Sequence, residues 1–417
     1  MGLQAIIGLA VILGICWAIS ERRQAFPPWR WVAVALGLQF ALAAIVLRVP
    51  AVWDAMRVAN DGLRALEAAT RVGSTYVFGY LGGGELPFVL REGAQRPVTI
   101  AFDILPLVIV TSALAAVLWH WGVLRAIVRA LSWATQRTLG VGGAVGLNAG
   151  ANVFLGVVEA PLVVRAYLAH MSREELFMVM SLGLSTVSGV VLVLYAQTLQ
   201  GVVDNAIGHL VTASLVSLPA TLLLARIVVP GDGTAAKTAV ADEADLKYES
   251  SIDAIVRGTM DGLQLFLVVI AVLIVVFALV ALTDQVLGLL PLVGGEPLTL
   301  RRVFGTLFAP LLWLIGVPWS EAPAAGALMG TKAILNEYVA YQELAALAPG
   351  TLGPRATLVT TYAMCGFANL ASIGLQLTTI GTLAPSRRAE VASLGIKSWI
   401  VGNLATAMTG AVIGLVA

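Results

Sequence analysis

Long stretches of the chain are almost wholly apolar, at 1–19, 31–49, 100–122, 176–200, 206–229, 263–290, 357–383 and 391–416. A helix needs about 20 apolar residues to cross a bilayer, so the pattern predicts about eight membrane-spanning helices. The first run lacks the basic flank and small-residue cleavage site of a signal peptide and reads as a retained helix. Two more apolar stretches, 143–170 and 318–345, are dense in Gly, Ala and Pro and carry charge. They read as re-entrant hairpins, because non-helical backbone at membrane depth is tolerated only where protein buries it or it lines a cavity. Residues 51–71 mix charge with helical spacing, placing Val52, Met56, Ala59, Leu63 and Leu66 on one face. That suits either a helix lying along the bilayer or a scaffold helix at a subunit contact. Residues 230–250 are acidic and Gly/Ala-rich, the one clearly polar linker, and read as a mobile cytoplasmic loop.

Composition agrees. Of 417 residues 59% are hydrophobic and 12% charged, with a mean hydropathy of +0.91. Soluble domains carry about 25% charge, so the fold class is an all-α integral membrane protein, eight spans plus two opposed hairpins. A net charge of +1 gives no reason to expect a nucleic-acid partner. Cys16 and Cys365 both fall in apolar segments, and no disulfide framework is indicated. Basic residues in short loops set orientation. Arg22, Arg23, Arg30, Arg125, Arg129, Arg137, Arg165, Arg173, Arg387, Arg388 and Lys397 share one side if the amino terminus is outside. Arg57, Arg64, Arg71, Arg91 and Arg96 then lie on the wrong side, a conflict with the rule. The organisation expected is a scaffold of N-terminal spans and interfacial helix (1–140), a first hairpin with two spans (141–229), a polar linker with a short amphipathic helix (230–262), a scaffold span and loop (263–317), and a second hairpin with two spans (318–417).

The candidate chemistry lies in the broken segments. Glu159 and Glu337 each sit in an interrupted stretch, where a carboxylate costs roughly 2.5–3.5 kcal/mol on insertion scales and is rarely kept without a role. Each hairpin precedes an apolar span interrupted by small polar residues, Leu184-Ser-Thr-Val-Ser-Gly189 in one half and Phe367-Ala-Asn-Leu-Ala-Ser-Ile-Gly374 in the other. Paired interruptions at matching places of two halves point to a midplane binding site, and the orientation above makes the repeats inverted. Asn152, Glu159, Thr186, Ser188, Glu337, Asn369 and Ser372 supply neutral donors, acceptors and carboxylates, suited to a hydroxyl-rich neutral solute and one small cation. The bland alternatives are helix-to-helix bonds for Ser185, Ser188 and Thr361 and a structural role for Lys332; Glu321 reads as the entry to the second hairpin. His120, His170 and His209 have no ligand spacing, and Phe78-Gly-Tyr-Leu-Gly-Gly-Gly84 lacks the Lys-Ser/Thr of a phosphate loop. Neither a metal enzyme nor another membrane-embedded enzyme is indicated.

Three stretches, Asn152-Val-Phe-Leu-Gly with Glu159-Ala-Pro-Leu, Asn336-Glu-Tyr-Val-Ala-Tyr341, and Cys365-Gly-Phe-Ala-Asn-Leu-Ala-Ser-Ile373, resemble the signatures of the concentrative nucleoside transporter family. Gly316-Val-Pro-Trp-Ser-Glu321 and Leu383-Ala-Pro-Ser-Arg-Arg388 extend the likeness over essentially the whole chain. The resemblance implies a homotrimer in a bacterial inner membrane, importing nucleosides by symport through elevator-like movement of a transport domain. It implies that Glu337, Asn369 and Ser372 hold the ribose and that Phe367 and Leu265 line the pocket. It places sodium at Asn152, Leu155, Thr186 and Val187, with Thr for the family's Ser at Thr186; sodium is favoured over protons. One departure stands out. The family's hairpin Gly-Gln-Thr-Glu is here Gly156-Val157-Val158-Glu159, so nucleobase contacts are rewritten. Gln376 lies on the face of Ser372, either replacing the lost amide or packing. Altered base preference is expected, the alternative being another polar solute or a modified nucleoside, conceivably proton-coupled.

Overall fold

The structure, a computed structural model, describes residues 2–24, 29–89, 99–231 and 248–417. These residues are helical, joined by short turns. The first helices are α1 (Gly2–Ala18), α2 (Trp29–Arg48) and the long α3 (Pro50–Phe78). A single π-helical turn, Ile100–Ile104, leads into α4 (Pro106–His120). Among the described residues six helices are long and apolar enough to cross a membrane, with α1 and the helix Leu370–Leu383 as shorter apolar ones. Six of the expected spans each coincide with one helix, and 176–200 and 357–383 each fall on two helices with a break between them.

Two helices were not foreseen. α5 (Val123–Leu139) is amphipathic and bounded by left-handed Gly122 and Gly140, and it occupies what looked like a basic loop. α13 (Leu300–Leu314) occupies the segment expected as a loop within 263–317. Pro310 and Gly305 lie inside it, and both residues disfavour a helix interior. Thr299 caps it, however, by accepting from Arg302 N–H at 3.3 Å, and tertiary packing overrides the weak local propensity. The expected boundary at 262–263 also disappears. α12 runs unbroken over Ser251–Leu287, capped by Ser250, so the amphipathic piece is the first part of the span. Gly258 and Gly262 seat α12 on α4; a Cβ at either would come within 2.9 Å of Ser112, Ala113 or Ile109.

The unforeseen helices expose the repeat. α5 lies along the first hairpin arm, α6 (Gly143–Ala151), and α13 lies along the corresponding second arm, α14 (Ala322–Ile334). Both arms carry glycines four apart, Gly146 and Gly150, Gly326 and Gly330, on the face toward the partner. Such spacing lets backbones approach closely. After α6 come two short helices, α7 (Glu159–Val163) and α8 (Arg165–Leu168). Then come α9 (Arg173–Ser185), α10 (Gly189–Thr198) and α11 (Ala206–Val228). After α14 come α15 (Glu337–Ala345), α16 (Pro354–Met364), α17 (Leu370–Leu383) and α18 (Arg388–Val416). Each half thus has a hairpin, a span broken in the middle, and a continuous span.

α9, α11, α16 and α18 pack together at the centre. A polar seam joins them: Ser217 Oγ meets Thr409 Oγ1 at 3.0 Å and Thr221 Oγ1 donates to Ser185 Oγ at 2.5 Å. α1 and α2 lie against α11 and α18, whereas α12 packs chiefly on α4. Within α3, Val52 and Leu66 are half-buried; the side chains of Met56, Ala59 and Leu63 lie outside the described residues, as do Arg91, Arg96 and the side chain of Arg57. Two of the arginines in conflict with the charge rule have local partners: Arg71 is 3.4 Å from Asp103 and Arg64 is 4.0 Å from Asp61. Most of the expected mobile loop also falls outside the described residues.

Candidate functional site

The two broken spans define the site. α16 stops at Met364 and α17 resumes at Leu370, and the residue before it, Asn369, caps α17 by accepting from Ser372 N–H at 2.9 Å. Ser372 Oγ donates to the same Asn369 Oδ1 at 3.0 Å. The free Nδ2 of Asn369 donates to Glu337 Oε2 at 3.1 Å. Glu337 reaches this point because the second hairpin turns at Leu335-Asn336. Asn336 caps α15 through Val339 N–H at 2.9 Å, leaving Glu337 as the first helical residue. The other carboxylate oxygen, Oε1, accepts from Tyr195 Oη at 2.6 Å. Tyr195 comes from α10, stacks on Tyr338 at 6.2 Å and tilts against Tyr341 at 5.1 Å. A buried carboxylate thus has a partner on each oxygen, which such burial demands.

The first hairpin closes the opposite side. Phe154 C=O accepts from Gly189 N–H at 2.9 Å, tying its tip to the break between α9 and α10, where Ser188 caps α10. The two breaks also touch each other: Phe367 N–H donates to Thr186 C=O at 3.2 Å. Between these parts lies a cavity of about 430 Å³. Val157, Val158, Glu159, Leu265, Glu337, Phe367, Asn369 and Ser372 all line it. The sequence reading named each of them, and the structure brings them to one place. The cavity has a polar end at Glu337, Tyr195, Asn369 and Ser372, and an apolar wall of Val157, Val158, Leu265, Val268, Val269 and Leu273. Its volume is that of a small-molecule site, apolar with a few placed polar groups. Glu159 is held at the hairpin turn by backbone bonds at Gly156 and at its own amide.

Sequence reasoning missed Tyr195. It lies in a plain apolar run, and its only signal was a lone hydroxyl seven residues past Ser188. Gln376, weighed as a replacement amide, does not line the cavity. Its Nε2 donates to Met180 C=O at 2.6 Å, beside Gly183 and Val157, so it fastens α17 to α9.

Asn152 is buried at the end of α6, its Nδ2 donating to Asn148 C=O at 2.9 Å and to Asn148 Oδ1 at 2.7 Å. Its Oδ1 is buried and has no hydrogen-bond partner among the described residues. Thr186 Oγ1 donates to Leu182 C=O at 3.0 Å, which leaves its lone pairs outward. Leu155 lies at the hairpin tip and shares a space of about 100 Å³ with Glu159 and Ser188, next to Val187. An orphaned amide oxygen, a hydroxyl with spare lone pairs and an unwound turn that bears carbonyls are each hard oxygen donors, the kind that suit a small hard cation and not a soft metal.

Long apolar helices, two of them broken at one cavity with a few placed polar groups, define a multi-pass membrane transporter. The comparisons give the family. Profiles of the Na+-dependent nucleoside transporter family match residues 209–414 (C-terminus) and 7–81 (N-terminus), and a nucleoside-recognition "Gate" profile matches 101–201. Nucleoside permease NupC of Helicobacter pylori is 32% identical over 89% of this chain and 88% of its own. Sodium/nucleoside cotransporter 1 of Mus musculus is 31% identical over 89% of this chain and 57% of its own. CNTnw in an inward-facing, substrate-bound state superposes with a TM-score of 0.87 at 37% identity, over 99% of this chain and 98% of that one. An outward-facing state of a CNTnw variant gives the same TM-score at 35% identity, over 100% and 97%. The chain belongs to the concentrative nucleoside transporter family.

Proposed function

We propose that the protein imports nucleosides by symport with sodium, as a homotrimer in a bacterial inner membrane. The observation that carries this reading is the polar end of the cavity. Glu337, Asn369 and Ser372 converge there on a space of about 430 Å³, within the range of small-molecule sites, facing an apolar wall. A carboxylate with one oxygen on Asn369 and one on Tyr195 can exchange either partner for a ribose hydroxyl without being left unpaired. Asn152 and Thr186, with the backbone of Leu155 and Val187, hold the sodium ion, which when bound supplies a positive charge at the negative end of α9. Because the first hairpin tip and both breaks are bonded to one another, order at either site orders the other. Sodium and nucleoside therefore raise each other's affinity by the same factor.

The eight spans carry two hairpins entering from opposite faces. The body formed by both hairpins with α9–α11 and α16–α18 moves as a unit past α4 and α12, which is the elevator arrangement. Val157 and Val158 offer the nucleobase no hydrogen bond, so base preference is set by shape and is broader or shifted relative to relatives with polar residues there. The same valine pair favours one second reading, a modified nucleoside or other polar solute in the same cavity. Uptake of a panel of natural nucleosides into proteoliposomes, with sodium, potassium or a proton gradient, tests the reading. Saturable uptake of purine and pyrimidine nucleosides that needs sodium is expected. Uptake confined to uridine and cytidine contradicts the base assignment, and uptake indifferent to sodium contradicts the coupling ion.

A further inference from the structure

We infer that Lys332 is a built-in cation that positions the second helix break for substrate, an inference that rests on the nucleoside reading above. Lys332 lies on α14 and is 0% exposed. None of the ion pairs among the described residues includes it. Its Nζ donates instead to Asn403 Oδ1 at 2.9 Å and to Thr406 Oγ1 at 3.3 Å, both on α18. A buried ammonium is costly unless its donors are satisfied, and two of its three donors meet neutral oxygens here.

Asn403 passes the contact onward. Its Nδ2 donates to Ala368 C=O at 3.0 Å and to Trp399 C=O at 3.0 Å. Ala368 precedes Asn369, the residue that holds both Glu337 and Ser372. A continuous path therefore runs from the ammonium on the hairpin, through α18, to the backbone of the break that presents the polar end of the cavity. The C-terminal end of α16 opens into this break, and a helix C-terminus is negative. The first repeat has the same layout: α9 ends at Ser185, its break follows, and a neutral oxygen set for a diffusible cation lies beside it. The second repeat differs in carrying its cation on a side chain. A fixed ammonium holds the break in its binding shape whatever the external sodium concentration, so only the first break waits for an ion. Lys332 makes no hydrogen bond to a cavity-lining group among the described residues, although it lies near enough to Glu337 for their charges to interact, and it is a positioning residue, acting through Asn403.

The test is sodium-driven nucleoside uptake in proteoliposomes by the wild type, by Lys332→Met, which keeps length and loses charge, and by Asn403→Ser, which cuts the path. Lys332→Met is expected to raise the nucleoside KM about tenfold or more, the scale of one lost charge-assisted bond. Maximal rate is expected to stay within about twofold, and half-saturating sodium, coupled through the bond between the two breaks, to rise by a smaller factor than KM. Asn403→Ser is expected to shift KM the same way by a smaller factor. A wild-type KM in Lys332→Met overturns the inference, and so does a rise in half-saturating sodium as large as that in KM, which is what general loosening produces. If Lys332→Met fails to fold, Asn403→Ser decides, and a wild-type KM there overturns it. A wild type that transports no nucleoside removes the functional reading and this inference together; wild-type transport with unchanged variants removes this inference alone.

Discussion

Glu337 is the residue on which the polar end turns, and its two bonds separate the contributions around it. Glu337→Gln keeps the volume but loses the charge: its one oxygen can still accept from Asn369, its amide nitrogen can donate to a turned Tyr195 hydroxyl, and both bonds become neutral. Losing a hydrogen bond to a charged group costs roughly 1.5–3 kcal/mol, so ribonucleoside KM should rise about ten- to a hundredfold. Tyr195→Phe removes only the 2.6 Å bond to Oε1, leaves stacking on Tyr338 intact, and should cost less. Competition uptake with ribose and deoxyribose nucleosides checks both, and unchanged KM in Glu337→Gln excludes a ribose contact. At the cation side, Thr186→Val removes the hydroxyl and keeps the shape. The sodium concentration for half-maximal uptake should rise several-fold, while Thr186→Ser should behave as the wild type. A Thr186→Val protein with an unaltered sodium curve places the ion elsewhere.

Helix breaks, not whole helices, carry the chemistry, and this decides what the sequence could reveal. Apolar runs announced the spans because a bilayer filters for length and hydropathy. Asn369 and Ser188 were legible as small polar residues interrupting such runs, while Leu265, Phe367, Val157 and Val158 came from the family resemblance, and all eight substrate candidates line one cavity. α13 was not legible: Gly305 and Pro310 argue against a helix locally, and only its packing on α14 explains it. Tyr195 was hidden likewise, since its role depends on Glu337, 142 positions away in the chain. The packing of α13 on α14 is itself testable. A Cβ on Gly330 would lie 2.1 Å from Phe304 Cβ. Gly330→Ala should therefore cost about 1–3 kcal/mol of stability by overpacking. Gly14→Ala meets nothing within 4 Å and should be neutral or slightly stabilising through its gain in helix propensity. Melting temperatures in detergent compare the two, and equal behaviour would mean that the arms are not in close contact.

Across the whole molecule, one ion cluster joins segments far apart in sequence. Glu21, in the turn after α1, accepts from Arg173 at 2.8 and 3.0 Å and from Lys397 at 2.8 Å. Arg173 also reaches Glu390 at 3.3 Å, and Arg387 binds Glu390 at 2.7 Å and the carbonyl of Met171 at 2.6 Å. The turn after α1, the start of α9, the start of α18 and the end of the first hairpin are thereby held in one register. The Arg173 and Lys397 cations hold the Glu21 carboxyl down from 4.5 to about 2. A carboxyl depressed in the folded state binds fewer protons there than when unfolded, so it contributes fully above the unfolded value. That contribution fades as pH drops below 4.5 and is gone once pH passes the folded value near 2. The wild type should accordingly melt higher than Glu21→Gln at pH 6, and the gap should narrow steadily as the pH is lowered toward 3. Arg173→Gln should abolish most of the same gap, because Arg173 is the principal cause of the depressed value. Melting curves of wild type and Glu21→Gln that run parallel from pH 7 to 3 would show that the cluster is a solvated surface pairing, worth little as such pairs usually are. The register of the hairpin end against α18 would then rest on Arg387 and the carbonyls of Leu168, Ala169 and Met171.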